Sequence, residues 1–238
     1  MVRTPPIPRW ITELRAPDGY RNPLSPGAWK SNPFPDPAHP NLWGTESLAG
    51  DWGGRLLLVF KDFAETRFLE QRHDLRPIYS HAPDFPTNRN LCRLLAAANH
   101  PLDIDGADAA TCGILYASAC FLLRESKLRS APLARDALAA SWPVIEFTMK
   151  NMQSLTDIVL CGADAFAAFR DLGGLNGDRL SAQNRRKPIA WRGYRVHCTN
   201  HTQPTALNTR KNPFEPNKPG FDIALGDWQV ILRHAFGT

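Results

Sequence analysis

Two polar segments of this sequence follow directly on apolar runs, and each carries a group able to hold charge or move a proton. The first is Lys61-Asp62-Phe63-Ala64, after Leu56-Leu57-Leu58-Val59-Phe60. A carboxylate at the mouth of a buried strand suits a cleft better than a core, although a helix N-cap looks the same. The second, Thr199-Asn200-His201-Thr202-Gln203-Pro204-Thr205, gathers hydroxyls, amides and one imidazole into seven residues. Such groups suit phosphate oxygens and base edges. His197 and His201 are four apart, a metal-pair spacing on a helix. Their β-branched neighbours and Pro204 read instead as strand and turn, so no metal is expected. Between the two segments lie Tyr79 and Phe85, which could stack on a flat ring, core filling being the alternative.

These groups need a scaffold that brings distant loops to one edge. Short apolar runs bounded by turn signals predict strands at 55–60, 113–120, 155–161 and 194–199. Helical spacing predicts helices at 88–99 and 163–172, one over 132–153 broken near Pro143, and a closing helix that begins at Trp228 after Gly226-Asp227. The alternation predicts an α/β fold, a three-layer α/β/α sandwich with a central, mainly parallel four-stranded sheet. In such sheets sites form beyond the carboxyl ends of the strands. The loops after Phe60, after the 114–117 run and after Cys198 are therefore the ones to watch. Prolines crowd the first forty residues, so 1–43 reads as an extension wrapped on a domain spanning 44–238.

Charge is distributed unevenly. From residue 181 onward there are nine Lys/Arg against three acids, whereas the first 180 residues are nearly balanced. That suits a polyanion-facing surface, with a merely solvated face as the alternative. The five cysteines are odd in number and form no C-x-x-C pair, which points to free thiols in a reducing cytoplasm rather than a metal ribbon or cluster. No run is long enough to span a membrane, and no leader pattern is seen.

Taken together, the strings resemble the uracil-DNA glycosylase superfamily. Leu57-Leu58-Val59-Phe60-Lys61-Asp62-Phe63-Ala64 is similar to its first motif, Gly-Gln-Asp-Pro-Tyr, and more so to the Gly-Gln-Asp-Pro-Ala version of a divergent bacterial branch. Thr199-Asn200-His201-Thr202-Gln203 resembles the second, Thr-x-His-Pro-Ser/Ala. Tyr79-Ser80-His81 with Pro86-Thr87-Asn88-Arg89-Asn90-Leu91 resembles the segments between them. Asp157-Ile158-Val159-Leu160-Cys161-Gly162-Ala163-Asp164-Ala165 is similar to the family's strand-to-helix turn, and Arg192-Gly193 to its Arg-Gly pair. The match is co-linear over 44–232. Phe60, Lys61 and Phe63 depart from it, replacing Gly, Gln and Pro.

The resemblance implies a monofunctional glycosylase that flips a base from DNA and hydrolyses its glycosidic bond, without a cofactor. Asp62 would orient water and support the sugar cation, and His201 would donate to the departing base. Tyr79 would stack on the base, with Lys61, Phe63 and Ala64 around it. Ser118, standing where the family has its base-reading Asn, would touch the polar edge. Ala64 and Ser118 imply tolerance of 5-substituted uracils or deaminated purines. Thr87, Thr199, Thr202 and Gln203 would grip phosphates, with Arg210 and Lys211 following the strand. The partner would be single-stranded DNA or a uracil-containing duplex, in the cytoplasm. The stretch 204–220 reads as a DNA-facing protrusion, a dimer contact being its alternative. Two rival readings are a degenerate, binding-only member of the superfamily and an unrelated α/β enzyme of small molecules.

Overall fold

The computed structural model describes residues 5–24, 50–62, 86–101, 112–125, 132–177, 187–209, 211 and 216–237. Among them the strands are β1 (Tyr20–Arg21), β2 (Leu56–Asp62), β3 (Ile114–Cys120), β4 (Leu123–Arg124), β5 (Asp157–Cys161), β6 (Ile189–Trp191) and β7 (Tyr194–Thr199). The helices are α1 (Arg9–Thr12), α2 (Pro86–Ala97), α3 (Arg135–Asn151), α4 (Ala163–Asp171), α5 (Pro204–Asn208) and α6 (Gly220–Phe236). The central sheet runs β3-β2-β5-β7-β6, the first four strands parallel and β6 antiparallel to β7. None of these helices is long and apolar enough to cross a membrane.

The strands are apolar on both faces because helices cover both. Leu57, Val59, Leu115, Ala117, Ile158 and Leu160 face α3 and α4, against Val144, Ile145, Phe166 and Phe169. Their neighbours Leu56, Leu58, Ile114, Tyr116 and Val159 face the other way, against Leu94, Leu95, Trp228 and Leu232 of α2 and α6. Side chains alternate along each strand, so one apolar run feeds two cores.

Four corrections to the sequence reading follow. The central sheet has five strands, not four. β6 is too short to show a pattern, and it forms a hairpin with β7 through Arg192-Gly193, both at positive φ (47° and 86°). A two-residue loop with that backbone matches the twist of paired strands. Arg192 is held there by donating to the Gly173 carbonyl at 3.1 Å and by lying over the Trp191 ring. Secondly, α3 runs unbroken through Pro143, which is exposed while Trp142, Val144 and Ile145 beside it are buried. Packing on that face outweighs the lost backbone bond. Thirdly, α6 starts at Gly220, eight residues before Trp228, and Asp227 lies inside it. Fourthly, β2 extends to Asp62, so the acid ends the strand rather than opening the loop.

Residues 5–24 are built into the domain. Ile11, Tyr20 and Leu24 join the core on the α3 side. Asn22, itself buried, donates to the carbonyls of Ile11, Thr12 and Leu14 and accepts from the Leu24 N–H, satisfying backbone groups left open around α1. β1 pairs with β4, Tyr20 opposite Arg124, and the Tyr20 hydroxyl accepts the Ala134 N–H at the start of α3.

Candidate active site

Parallel pairing brings the ends of β2, β5 and β7 to one edge, with β5 in the middle. β2 ends in Phe60-Lys61-Asp62, and β7 hands on to Asn200-His201. From β5 the chain turns at Gly162 directly into α4. The Gly162 N–H donates to the Thr199 carbonyl at 2.8 Å, tying the ends of β5 and β7 together. Gly162 has φ 106° and ψ 173°, a backbone region that is essentially glycine's alone. Gly162→Ala is therefore expected to cost about 1–3 kcal/mol, read as a lower urea midpoint. A Cβ there would meet His201 Cβ at 3.5 Å, an ordinary contact, so the loss comes from backbone strain and not from crowding.

His201 is partly buried. Its ring stands edge-on to Phe60, centroids 5.4 Å apart at 75°. Burial, helped by nearby Lys61 and opposed by Asp164, lowers its pKa to about 4. The ring is therefore neutral at pH 7. Its Nδ1 accepts the Gln203 N–H at 3.2 Å, which leaves the single ring proton on Nε2. The result is a neutral imidazole with a fixed donor. The loop carrying it is pinned independently of the ring. Thr202 donates to the Thr87 carbonyl at 3.0 Å, Asn90 to the Thr202 carbonyl at 2.9 Å, and Asn200 to the Ala206 carbonyl at 3.3 Å.

Asp62 is 13% exposed and forms an ion pair with Arg124, Oδ2 to Nε 2.6 Å, the arginine being 9% exposed. Burial raises its pKa, against the pull of Arg124 and Lys61; Asp164 adds to the rise. Lys61 reaches across to Asp164 at the start of α4, 3.3 Å away. That Lys61–Asp164 pair is an electrostatic neighbour of both Asp62 and His201. The acid and the imidazole thus flank one charged pair at one end of the sheet.

The other expected site residues divide. Ser118 is in register with Phe60 in β3, buried at 5% exposure. Gln203 and Lys211 are exposed, and Thr87 is partly so. Thr199 and Thr202 are corrected to an internal role. Both are buried, and their hydroxyls go to Asp227 (3.1 Å) and to the Thr87 carbonyl, not outward to phosphate. Tyr79, Phe63, Ala64 and Arg210 lie outside the described residues. His197, the other half of the spacing considered for a metal, points to the far end of the sheet, its Nε2 2.8 Å from Asp157. Sequence reasoning passed over Arg124, Asp164 and Asn90. A lone arginine closing the apolar run Ala119-Cys120-Phe121-Leu122-Leu123 was the available signal for the first of these.

Three of the thiols are held in their neutral form. Burial pushes Cys92 up to about 11 and Cys120 and Cys198 up to about 12. Among the described residues at this edge, Asp62 and His201 offer a carboxylate and a neutral hydrogen-bond donor, a pair suited to hydrolysis of a bond to a good leaving group. No protein-family model matches the chain, and no curated protein matches it.

Proposed function

We propose that this chain is a DNA glycosylase of the uracil-excising type, initiating base excision repair on single-stranded or uracil-containing duplex DNA. The observation that carries the reading is the state of His201: neutral, with Nδ1 occupied and the proton on Nε2. Breaking the C1′–N bond sends an electron pair onto the base, and the negative charge settles on its carbonyl oxygens. A fixed neutral donor stabilises that charge without first losing a proton of its own. Asp62 orients the water whose oxygen bonds to C1′, and its charge supports the cationic sugar. The attacking water gives up a proton by way of Asp62, and the departing base anion takes one from solvent. No step calls for a metal or cofactor. The strand-end position of both groups and their resemblance to the superfamily's two motifs support the same reading, and the mainly parallel central sheet is compatible with it.

Binding without cleavage is the second reading, and Phe60, Lys61 and Phe63, which replace the Gly, Gln and Pro of the first motif, favour it. One assay separates the two. Uracil-containing oligonucleotides are incubated with the protein and probed for alkali-labile sites. Cleavage that disappears in Asp62→Asn supports the enzyme. A salt-sensitive complex with no cleavage supports the binder. In a substrate panel, uracil is expected first, with some excision of 5-hydroxymethyluracil, xanthine or hypoxanthine. Activity confined to uracil would overturn the roles given to Ala64 and Ser118.

A further inference from the structure

We propose that Arg124 is the positioning residue of the candidate acid: it holds Oδ2 of Asp62, leaves Oδ1 as the oxygen offered to the site, and anchors that geometry to the N-terminal segment. The catalytic consequence rests on the glycosylase reading; the geometry does not. Three observations converge on it. Oδ2 of Asp62 is fully buried, so the exposure the side chain retains lies elsewhere on it. Arg124 is itself buried, and it sits on β4, two residues long, whose cross-strand partner for Arg124 is Tyr20. Tyr20 is in turn fixed by the Ala134 N–H. A residue so held by backbone pairing presents its guanidinium from a rigid mount, which long side chains on loops do not achieve.

The physical need for such a partner is plain. Burial drives a carboxylate toward its neutral form, and a neutral Asp62 could neither orient water as a base nor support a cation. Among the described residues, five charged or titratable groups interact with Asp62. They are Arg124 from β4, Lys61 from its own strand, Asp164 from α4, Cys120 from β3 and Tyr20 from β1. Cys120 is neutral, its thiol pushed up to about 12 by burial, and burial also raises Tyr20. Lys61 and Asp164 are paired with each other. Among the described residues, Arg124 is therefore the opposite charge whose partner is Asp62 itself. An opposite charge at this range lowers a carboxylate by about 1–3 units. Removing it should move the acid limb of the reaction to higher pH by that amount.

The test compares wild type, Arg124→Lys and Arg124→Met. Single-turnover excision of uracil is followed from pH 4 to 9, and the Asp62 carboxyl is titrated by ¹³C NMR in the same proteins. Arg124→Met is expected to shift the acid limb and the Asp62 titration upward together by about one unit or more, roughly a tenfold loss at a fixed pH on the limb, recovered at high pH. Arg124→Lys is expected to fall between, since it keeps the charge but not the fixed planar fork. A limb and a titration that stay in place in both variants would overturn the proposal and leave Arg124 a packing residue. Should the wild type excise no base at all, the glycosylase reading falls, and the Asp62 titration alone decides whether Arg124 governs the acid. Should the methionine variant fail to fold, the lysine variant carries the same comparison.

Discussion

Replacing His201 with alanine is expected to slow uracil excision by roughly 10²–10³-fold, the effect of removing one preorganised donor worth about 2.7–4 kcal/mol in the transition state. The fold should survive the change. Thr202, Asn90 and Asn200 hold the loop through bonds that do not involve the ring, which stands edge-on to Phe60. The pH dependence separates this donor from the acid. Only the neutral ring carries the single Nε2–H with Nδ1 free to accept, and its pKa is lowered to about 4. The contribution of His201 should thus be constant from about pH 5 upward and decline only as the pH falls through 4. Asp62 must be ionised, and burial raises its pKa, so its loss also falls on the acid side. In His201→Ala the limb that remains belongs to Asp62. Single-turnover rates across this range provide the check. A loss of less than about threefold at pH 7 would mean that the imidazole is not the donor to the leaving base.

The parts of this architecture that the sequence announces are those whose cause is local. β2, β3, β5 and β7 are continuous apolar runs because helices cover both faces, and such runs stand out wherever they occur. β7 in particular reads from the sequence with the bounds that the structure shows, Tyr194–Thr199. Elements set by tertiary partners escape. β6 is Ile189-Ala190-Trp191 and owes its existence to the Arg192-Gly193 turn. β1 and β4 have two residues each and are strands only because they meet. Gly226-Asp227 looks like a helix start, yet Asp227 is a buried acceptor for Thr199 in mid-helix. The same blindness affects the site. A strand followed by Thr-x-x-Thr reads as an exposed polar loop, and burial of both hydroxyls depends on α2 and α6 arriving from elsewhere in the chain. Asp62 and His201 were visible because polar groups at strand ends are visible. Arg124 acts on a residue 62 positions away, and nothing local marks that.

The largest expected effect on stability lies at the opposite end of the sheet. Asp157 is 0% exposed and opens β5. Arg195 donates to it through two nitrogens at 2.8 and 2.6 Å, Thr156 through its hydroxyl at 2.7 Å, and His197 Nε2 lies 2.8 Å away. Arg195 also reaches the His234 carbonyl, and the His234 ring stands 5.3 Å from that of His197, so the cluster joins β5, β7 and α6. Burial alone would raise the Asp157 pKa. The bonds from His197, Arg195 and Thr156 overcome that and hold it well below the usual carboxylate range. Asp157→Ala leaves a buried imidazole and half of a guanidinium fork without their acceptor. Breaking a buried pair in this way costs about 3–5 kcal/mol. Because the Arg195 side chain is 42% exposed and partly screened, the lower end applies, about 3 kcal/mol. For a domain of this size that is a fall in Tm of roughly 6–12 °C. The sign of the pH effect follows from the lowered folded pKa. The stabilisation is complete above the unfolded value, near 4, and is lost as the pH falls toward the lower folded one. Urea unfolding should show a constant gap between wild type and variant from pH 5 to 8 that narrows below pH 4. A gap under 1 kcal/mol, or one unchanged at pH 3, would show that the cluster does not hold these elements together. Excision measured well below the variant's melting temperature should stay near the wild-type rate, because the cluster sits at the ends of the strands away from His201. The two substitutions then split cleanly, one removing rate without stability and the other stability without rate.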